Sequence, residues 1–450
     1  MPSSRLLRKL FSVPWAEECL GDLARLQGML DFEAALARAE ARVGLVPADA
    51  AEAIAQKCRA GLFDLDRLAE AAARAGNPAI PLVSALTALV AAENAGAARY
   101  VHLGATSQDA MDTGLVLQLR RLCEGLSGDL GRLSAALGRL AAAHRETVLA
   151  GRTWLQQAPP VTFGLKAAGW LDAVGRHAAR LFDLMPRTLV LQFGGASGTL
   201  ASLGGRGLEV AEALSRELRL PMPALPWHAH RDRLAELGAF LGILAGTLGK
   251  MGRDVSLLMQ TEVSEAFEPA GEGRGVSSAM PQKRNPVSSA VALAAAARAP
   301  GLVATLLSAM AQEHERGLGG WQAEWETLPE LGGLAAGSLA AMAEAMEGLE
   351  VDPERMRRNL AARGGVALAE AASSALAQRI GRPQATRIVA RASRRALETE
   401  RTLLETLCAD PAVTEHLSPA DLAVILEPRA YLGVASSFID RVLAAGKEDH

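Results

Sequence analysis

Two hydroxyls, Ser277 and Ser278, stand a few residues ahead of a cation, Lys283, and an amide, Asn285, in the run Gly271-Glu-Gly-Arg-Gly-Val-Ser-Ser-Ala-Met-Pro-Gln-Lys-Arg-Asn-Pro286. A serine alkoxide is a strong base that is almost never populated at neutral pH. Using one requires nearby positive charge and backbone N–H donors, which Lys283 and the start of the helix after it could supply. Gly271, Gly273 and Gly275 make the first half of the run conformationally permissive, and Asn285 followed by Pro286 reads as N-cap and N1 of that helix. A solvated surface loop ending in a good cap would carry the same residues.

Three other clusters could do chemistry. His102-Leu-Gly-Ala-Thr-Ser-Gln-Asp109 places a histidine, two hydroxyls and a carboxylate ahead of a long leucine stripe. Thr106, Ser107 or Asp109 could cap that helix, and a helix N-terminus is also an anion site. Pro226-Trp-His-Ala-His-Arg-Asp-Arg233 and Gln312-Glu-His-Glu-Arg316, the latter followed by Trp321, Glu324 and Trp325, are dense in charge and aromatics. Within them His228, Arg231, His314 and Arg316 are candidate anion contacts or solvated helix-face residues.

The elements that must position these groups read as helices. Half of the 450 residues are hydrophobic but only 4% are aromatic, which favours closely packed helices over sheets. About Gly21 to Val43 reads as one amphipathic helix, and shorter ones follow to about Gly76. Asn77-Pro-Ala-Ile-Pro81 reads as a turn, with helical spacing resuming over 82–95. Leu115, Leu119, Leu122, Leu126, Leu130, Leu133, Leu137 and Leu140 recur at steps of three and four, as do Leu237, Leu241, Leu244, Leu248, Met251, Val255 and Leu258. Such seams need other long helices against them, and they often complete a core by oligomerising. A third apolar stretch starts at Val287, with a kink or break expected at Pro300, and a fourth covers 331–349. Asp352-Pro353 reads as a fresh N-cap and N1. No alternating strand pattern is apparent, so the expectation is an all-α chain of three helical domains: 1–105, a central long-helix bundle with the loop at 106–350, and 351–450.

A net charge of -3 supplies no field for nucleic acid or an anionic membrane. Cys19, Cys58, Cys123 and Cys408 lie far apart without metal-ligand spacing, which fits a reduced cytoplasm. The N-terminal Met1-Pro-Ser-Ser-Arg-Leu-Leu-Arg-Lys-Leu-Phe11 has no apolar leader core.

The run Ser277-Ser-Ala-Met-Pro-Gln-Lys-Arg-Asn-Pro286 resembles the signature loop of the fumarase/aspartase superfamily, with Val276 where a glycine usually precedes it. The resemblance implies that Ser277 is the catalytic base on a mobile loop and that Lys283 and Asn285 hold a substrate carboxylate, with Ser278 a weaker candidate. His102–Asp109 resembles the first signature of the superfamily, implying a carboxylate site at Thr106 and Ser107, with His102 weaker. Gly151-Arg-Thr-Trp-Leu-Gln-Gln-Ala-Pro-Pro160 corresponds to the second signature, with Trp154 where a histidine commonly stands. Thr153 and Gln156 join the substrate-binding set, along with His228, Arg231, His314 and Arg316. The Thr-Trp-Leu-Gln run, the following Ala158-Pro-Pro-Val-Thr-Phe-Gly164 and the C-terminal Pro428-Arg-Ala-Tyr-Leu-Gly433 are similar to one branch, the bacterial 3-carboxy-cis,cis-muconate cycloisomerases.

Chemistry offers a reason for Trp154. Run backwards, lactonisation is a β-elimination whose leaving group is a carboxylate, with a pKa near ~4, so the departing oxygen needs no proton at neutral pH. The resemblance implies a mostly α, three-domain protomer, a homotetramer with active sites shared between subunits, and a small tricarboxylate substrate in the β-ketoadipate (protocatechuate) route. It implies no metal, no organic cofactor, no nucleic acid and no membrane. The alternatives are a C–N lyase acting on adenylosuccinate or argininosuccinate, which Trp154 disfavours, and a non-catalytic helical scaffold, which has no use for Ser277, Lys283 and Asn285.

Overall fold

A computed structural model describes residues 5–448. Helix α1 (Asp22–Arg42) buries Leu26, Met29, Leu30 and Leu36, as the periodicity predicts. Helix α2 (Ser107–Ala143) buries Leu119, Leu122, Leu126, Leu130, Leu133 and Leu137. Helices α3 (Phe163–Thr188), α4 (Asp232–Leu258), α5 (Val287–Ser308) and α6 (Gly320–Glu347) follow, and on α4 the whole seam from Leu237 to Leu258 is buried. Each such side chain withdrawn from water contributes about 1.5–3 kcal/mol, so the seams dominate the stability of the helices that carry them.

The chain packs as two compact units. One is formed by Met1–Asp129, His177–Gly249 and Val291–Ala340, the other by Leu130–Arg176, Lys250–Ala290 and Ala341–His450. The units follow packing and not chain order, and α2 to α6 each contribute to both. In the first unit α1 approaches α2 so closely that a Cβ on Gly28 would stand 2.7 Å from the carbonyl oxygen of Gly114, so only glycine fits at that crossing. In the second unit helix α7 (Pro353–Ala361) starts as expected, with the Asp352 carboxylate accepting from the N–H of Arg355. Beyond it Leu376, Ile388, Leu403, Leu407 and Leu422 centre a separate apolar core.

Four sequence expectations change. The helix expected from Leu82 begins at Ala79, because Asn77 Oδ1 accepts from the N–H groups of Ala79 and Ile80, and Pro81 then falls in a first turn that needs no donor. Helix α5 runs through Pro300 without a break. Helix α6 starts at Gly320, well before Leu331, and so carries Trp321, Glu324 and Trp325. Strands are present as well: β1 (Val148–Thr153) pairs antiparallel with β2 (Gln156–Thr162), and β3 (Ala266–Phe267) with β4 (Glu350–Val351). Pro159 and Pro160 hide β2 from a strand reading, but in a ribbon of two strands a missing N–H can face away from the partner. Met1–Ser4, the head of the segment read for a leader, lie outside the described residues.

Two helices are long and apolar enough to cross a membrane by length and composition. The most apolar window of α4 is 61% buried, whereas that of α5, with a mean hydropathy of 1.7, is 22% buried. Helix α5 therefore presents an apolar face that this chain does not cover.

One buried charge stands apart from any site. Glu40 on α1 is 0% exposed, neither carboxylate oxygen has a partner, and burial, with a smaller contribution from Glu33, pushes its pKa up to about 9. The folded chain thus holds a proton that the unfolded chain releases above about 4.5, and the stability this group contributes is lost as pH rises through about 9. Glu40→Gln keeps the shape without the titration. Its melting temperature relative to the parent should rise steadily between about pH 5 and pH 9, followed by scanning calorimetry.

Candidate active site

The loop carrying Ser277 is fastened at both ends. The N–H of Asn285 donates to the carbonyl of Gly275 at 2.9 Å, and Gly275 sits at φ +61°, where a Cβ would meet the Asn285 oxygen at 2.6 Å. Arg274 is ion-paired with Glu344 and donates to Ser288 Oγ, and Arg284 makes two 2.8 Å bonds to Glu350. Between these anchors Ser277 Oγ accepts from the N–H groups of Met280 (3.1 Å) and Ala279 (3.4 Å). Those donors lower the energy of an alkoxide at that oxygen. Ser278 and Lys283 are exposed.

The helix after the loop does not play the part expected of it. Asn285 is not its cap: α5 begins at Val287, and Asn285 Nδ2 donates to the carbonyl of Val276. The buried carboxylate of Glu268 caps α5 instead, accepting from Ser288 N (2.9 Å), Ser289 N (2.8 Å) and Ser289 Oγ (2.7 Å). The first-turn donors are therefore taken by a residue remote in sequence, and the donors to Ser277 come from the loop's own backbone.

Thr153 and Gln156 face each other as the last pair of the β1–β2 hairpin. Between them Trp154 and Leu155 lie at φ +52° and +62°, the positive-φ pair of a two-residue turn that normally calls for Asn or Gly. They are 97% and 76% exposed. The hairpin is held rigidly behind this tip: Arg152 makes bonds of 2.8 and 2.7 Å to the buried Glu265, which also accepts from Asn359, and Gln157 donates to the carbonyl of Asn359. Lys166, in the first turn of α3, has no hydrogen-bonding partner among the described residues, and burial pushes its pKa down.

In the first unit, Thr106 and Ser107 meet Arg316. Its guanidinium donates to Thr106 Oγ1 (2.8 Å), Ser107 Oγ (3.4 Å) and Gln108 Oε1 (3.1 Å), and Ser107 Oγ also accepts from Asn77. In these bonds both hydroxyls only accept, so both keep their own protons to donate to an anion. Arg316 and His314 lie on the loop between α5 and α6 and not on a helix face, and His314 is exposed at φ +53°. No carboxylate pairs with Arg316 among the described residues.

Beneath these groups Asp109 is fully buried and accepts four bonds, from Gly194 N, Gly195 N, Thr106 N and His228 Nε2. His228 is thereby a buried partner of Asp109 at 2.7 Å and not a free contact for substrate. Arg231 is also corrected. It is 2% exposed and clasped between Asp112 and Glu324, with distances from 2.6 to 3.1 Å, so its donors are spent inside the protein. Burial works against the Arg231 charge, but the two carboxylates outweigh it and hold the proton more tightly than usual. His102, at φ +60°, lies 2.6 Å from Glu33; burial opposes its charge and Glu33 outweighs burial, leaving its pKa raised.

Sequence reasoning missed Glu268, Glu265, Glu33 and Lys166, and took Asp109 only as a possible cap. Glu268, Glu265 and Glu33 lie 20, 113 and 69 positions from the groups they bind. Two outcomes follow from these contacts. Arg231→Met strands two buried carboxylates and should cost about 3–5 kcal/mol in urea denaturation. Glu33→Gln removes the charge that outweighs burial, so the His102 pKa should drop from above 6.5 to below it, read by histidine NMR.

A family model described as "Lyase" matches residues 16–301, and one described as "Adenylosuccinate lyase C-terminus" matches 365–442. The chain is 59% identical, over 99% of its length and 97% of the relative's, to a 3-carboxy-cis,cis-muconate cycloisomerase of Pseudomonas aeruginosa. It is 53% identical to one of Bradyrhizobium diazoefficiens, covering 99% of each chain. It superposes with a TM-score of 0.95 and 52% identity, covering 99% of each chain, on the crystal structure of 3-carboxy-cis,cis-muconate lactonizing enzyme from Pseudomonas putida. The helices, the two signature segments around Thr106 and Ser277, and the altered hairpin at Trp154 thus sit in a chain that belongs to the lyase family of the fumarase/aspartase superfamily.

Proposed function

We propose that this enzyme lactonises 3-carboxy-cis,cis-muconate to 4-carboxymuconolactone in protocatechuate degradation. The observation that carries the reading is a base loop without an acid opposite number. Ser277 is supplied with two N–H donors, while the hairpin tip offers Trp154 and Leu155, neither of which can protonate a leaving group. A reaction whose reverse expels a carboxylate needs no such proton, whereas expulsion of an amine does. The hairpin tip therefore offers the amine-eliminating alternatives no acid.

In the forward direction a substrate carboxylate oxygen adds to the double bond, and charge develops on the carbon beside a second carboxylate. The Ser277 hydroxyl delivers the proton to that carbon. Lys283 and Asn285 on the loop, with Thr106, Ser107 and Arg316, are the donors we assign to the carboxylates, and Thr153 and Gln156 flank the hairpin's contribution. Oriented donors of this kind stabilise the developing aci-carboxylate without reorganising. His314 remains a candidate contact, and His102 is positioned by Glu33.

We further assign a homotetramer, with each site drawing its segments from different copies. The uncovered apolar face of α5 and the exposed Trp154–Leu155 tip support it, because exposed apolar surface of this kind marks sites of association. All four cysteines are free, which supports a cytoplasmic location.

The purified protein should consume the muconate, seen as loss of the diene absorbance, and leave adenylosuccinate and argininosuccinate untouched. Turnover only of a succinyl-amine substrate would overturn the reading. Ser277→Ala should cut turnover by about 10²–10⁴-fold while light scattering reports the same tetrameric mass.

A further inference from the structure

The lactone formed in the proposed reaction contains a succinate skeleton. The carbon that accepts the ring oxygen bears one carboxylate, and the neighbouring CH₂, which accepts the proton, bears another. In the reverse direction the group expelled is an acyloxy group at C2 of a succinate. Nothing in that elimination requires the acyloxy group to be part of a ring.

The side chains of the hairpin point the same way. Its tip has no titratable group, Arg152 is committed to Glu265, and the Gln157 amide is committed to Asn359. Selection by such an apparatus falls on the basicity of the leaving group. A carboxylate, with a conjugate acid near ~4, leaves unaided at neutral pH, and hydroxide or an amine does not.

From this chemistry, resting on the proposed function, we infer that the protein also catalyses β-elimination of open-chain 2-acyloxysuccinates, the O-acyl malates, to fumarate and a free carboxylate. The Ser277 alkoxide takes the C3 proton, the C2–O bond breaks with its electron pair leaving on the acyl carboxylate, and the C2–C3 double bond forms. No oxidant, reductant or water is consumed.

The probe is O-acetylmalate, as each enantiomer, with products separated chromatographically and 3-carboxy-cis,cis-muconate run beside it. Fumarate and acetate should appear in equal amounts from one enantiomer, the rate should fall by at least about 10²-fold in Ser277→Ala, and malate and aspartate should yield no fumarate. Lactonisation of the muconate without fumarate from either enantiomer would overturn the inference and leave the proposed function standing. So would malate plus acetate, which signals ester hydrolysis, or fumarate from aspartate. Failure to lactonise the muconate would remove both.

Discussion

The N-terminal end of α2 depends on two buried carboxylates that lie one turn apart on that helix, Asp109 and Asp112. Asp109 gathers the N–H groups of Gly194 and Gly195, the N–H of Thr106 and the ring of His228. Asp112 accepts from Arg231, Gln108 and the indole of Trp321. Carboxylates beneath the group we propose for substrate carboxylates would repel them if their charge were left exposed. Here Glu324 and Asp112 are matched to Arg231, and Asp109 is surrounded by donors, so their charge is spent within the protein. Arg316, with no carboxylate partner among the described residues, is aimed at two hydroxyls whose protons are still available.

The second unit uses the opposite device. Its loop and hairpin are pinned by Arg274, Arg284 and Arg152, each bound to a carboxylate, while Ser278, Lys283, Trp154 and Leu155 are left exposed. Two successive non-glycine residues at positive φ cost about 1–3 kcal/mol each, a strain that the ion pair of Arg152 with a buried Glu265 helps to hold. Strain of this kind persists where a surface must present particular side chains. At this tip they are a tryptophan and a leucine, neither of which can give up a proton.

Much of the site was legible because it is local. Thr106, Ser107 and Arg316, read from separate segments, are in contact, Ser277 and Lys283 share one loop, and the long seams on α2 and α4 are buried as their spacing demands. Other expectations failed for a common reason, namely that a partner far away in the chain outcompeted the near one. Glu268 caps α5 in place of Asn285, Arg231 is claimed by Asp112 and Glu324, and His228 by Asp109. The hairpin escaped notice because its second strand contains two prolines.

By itself, then, the sequence determined the helical architecture and the chemistry on offer. Spacing of apolar residues dictates which helix face is buried, and a motif of ten residues carries two serines, a lysine and an asparagine together. Only the tertiary structure decided which charged groups remain free to act. A guanidinium or an imidazole is written the same way whether it is spent on a buried carboxylate or left for a ligand, and that difference is set by contacts between residues as much as two hundred positions apart.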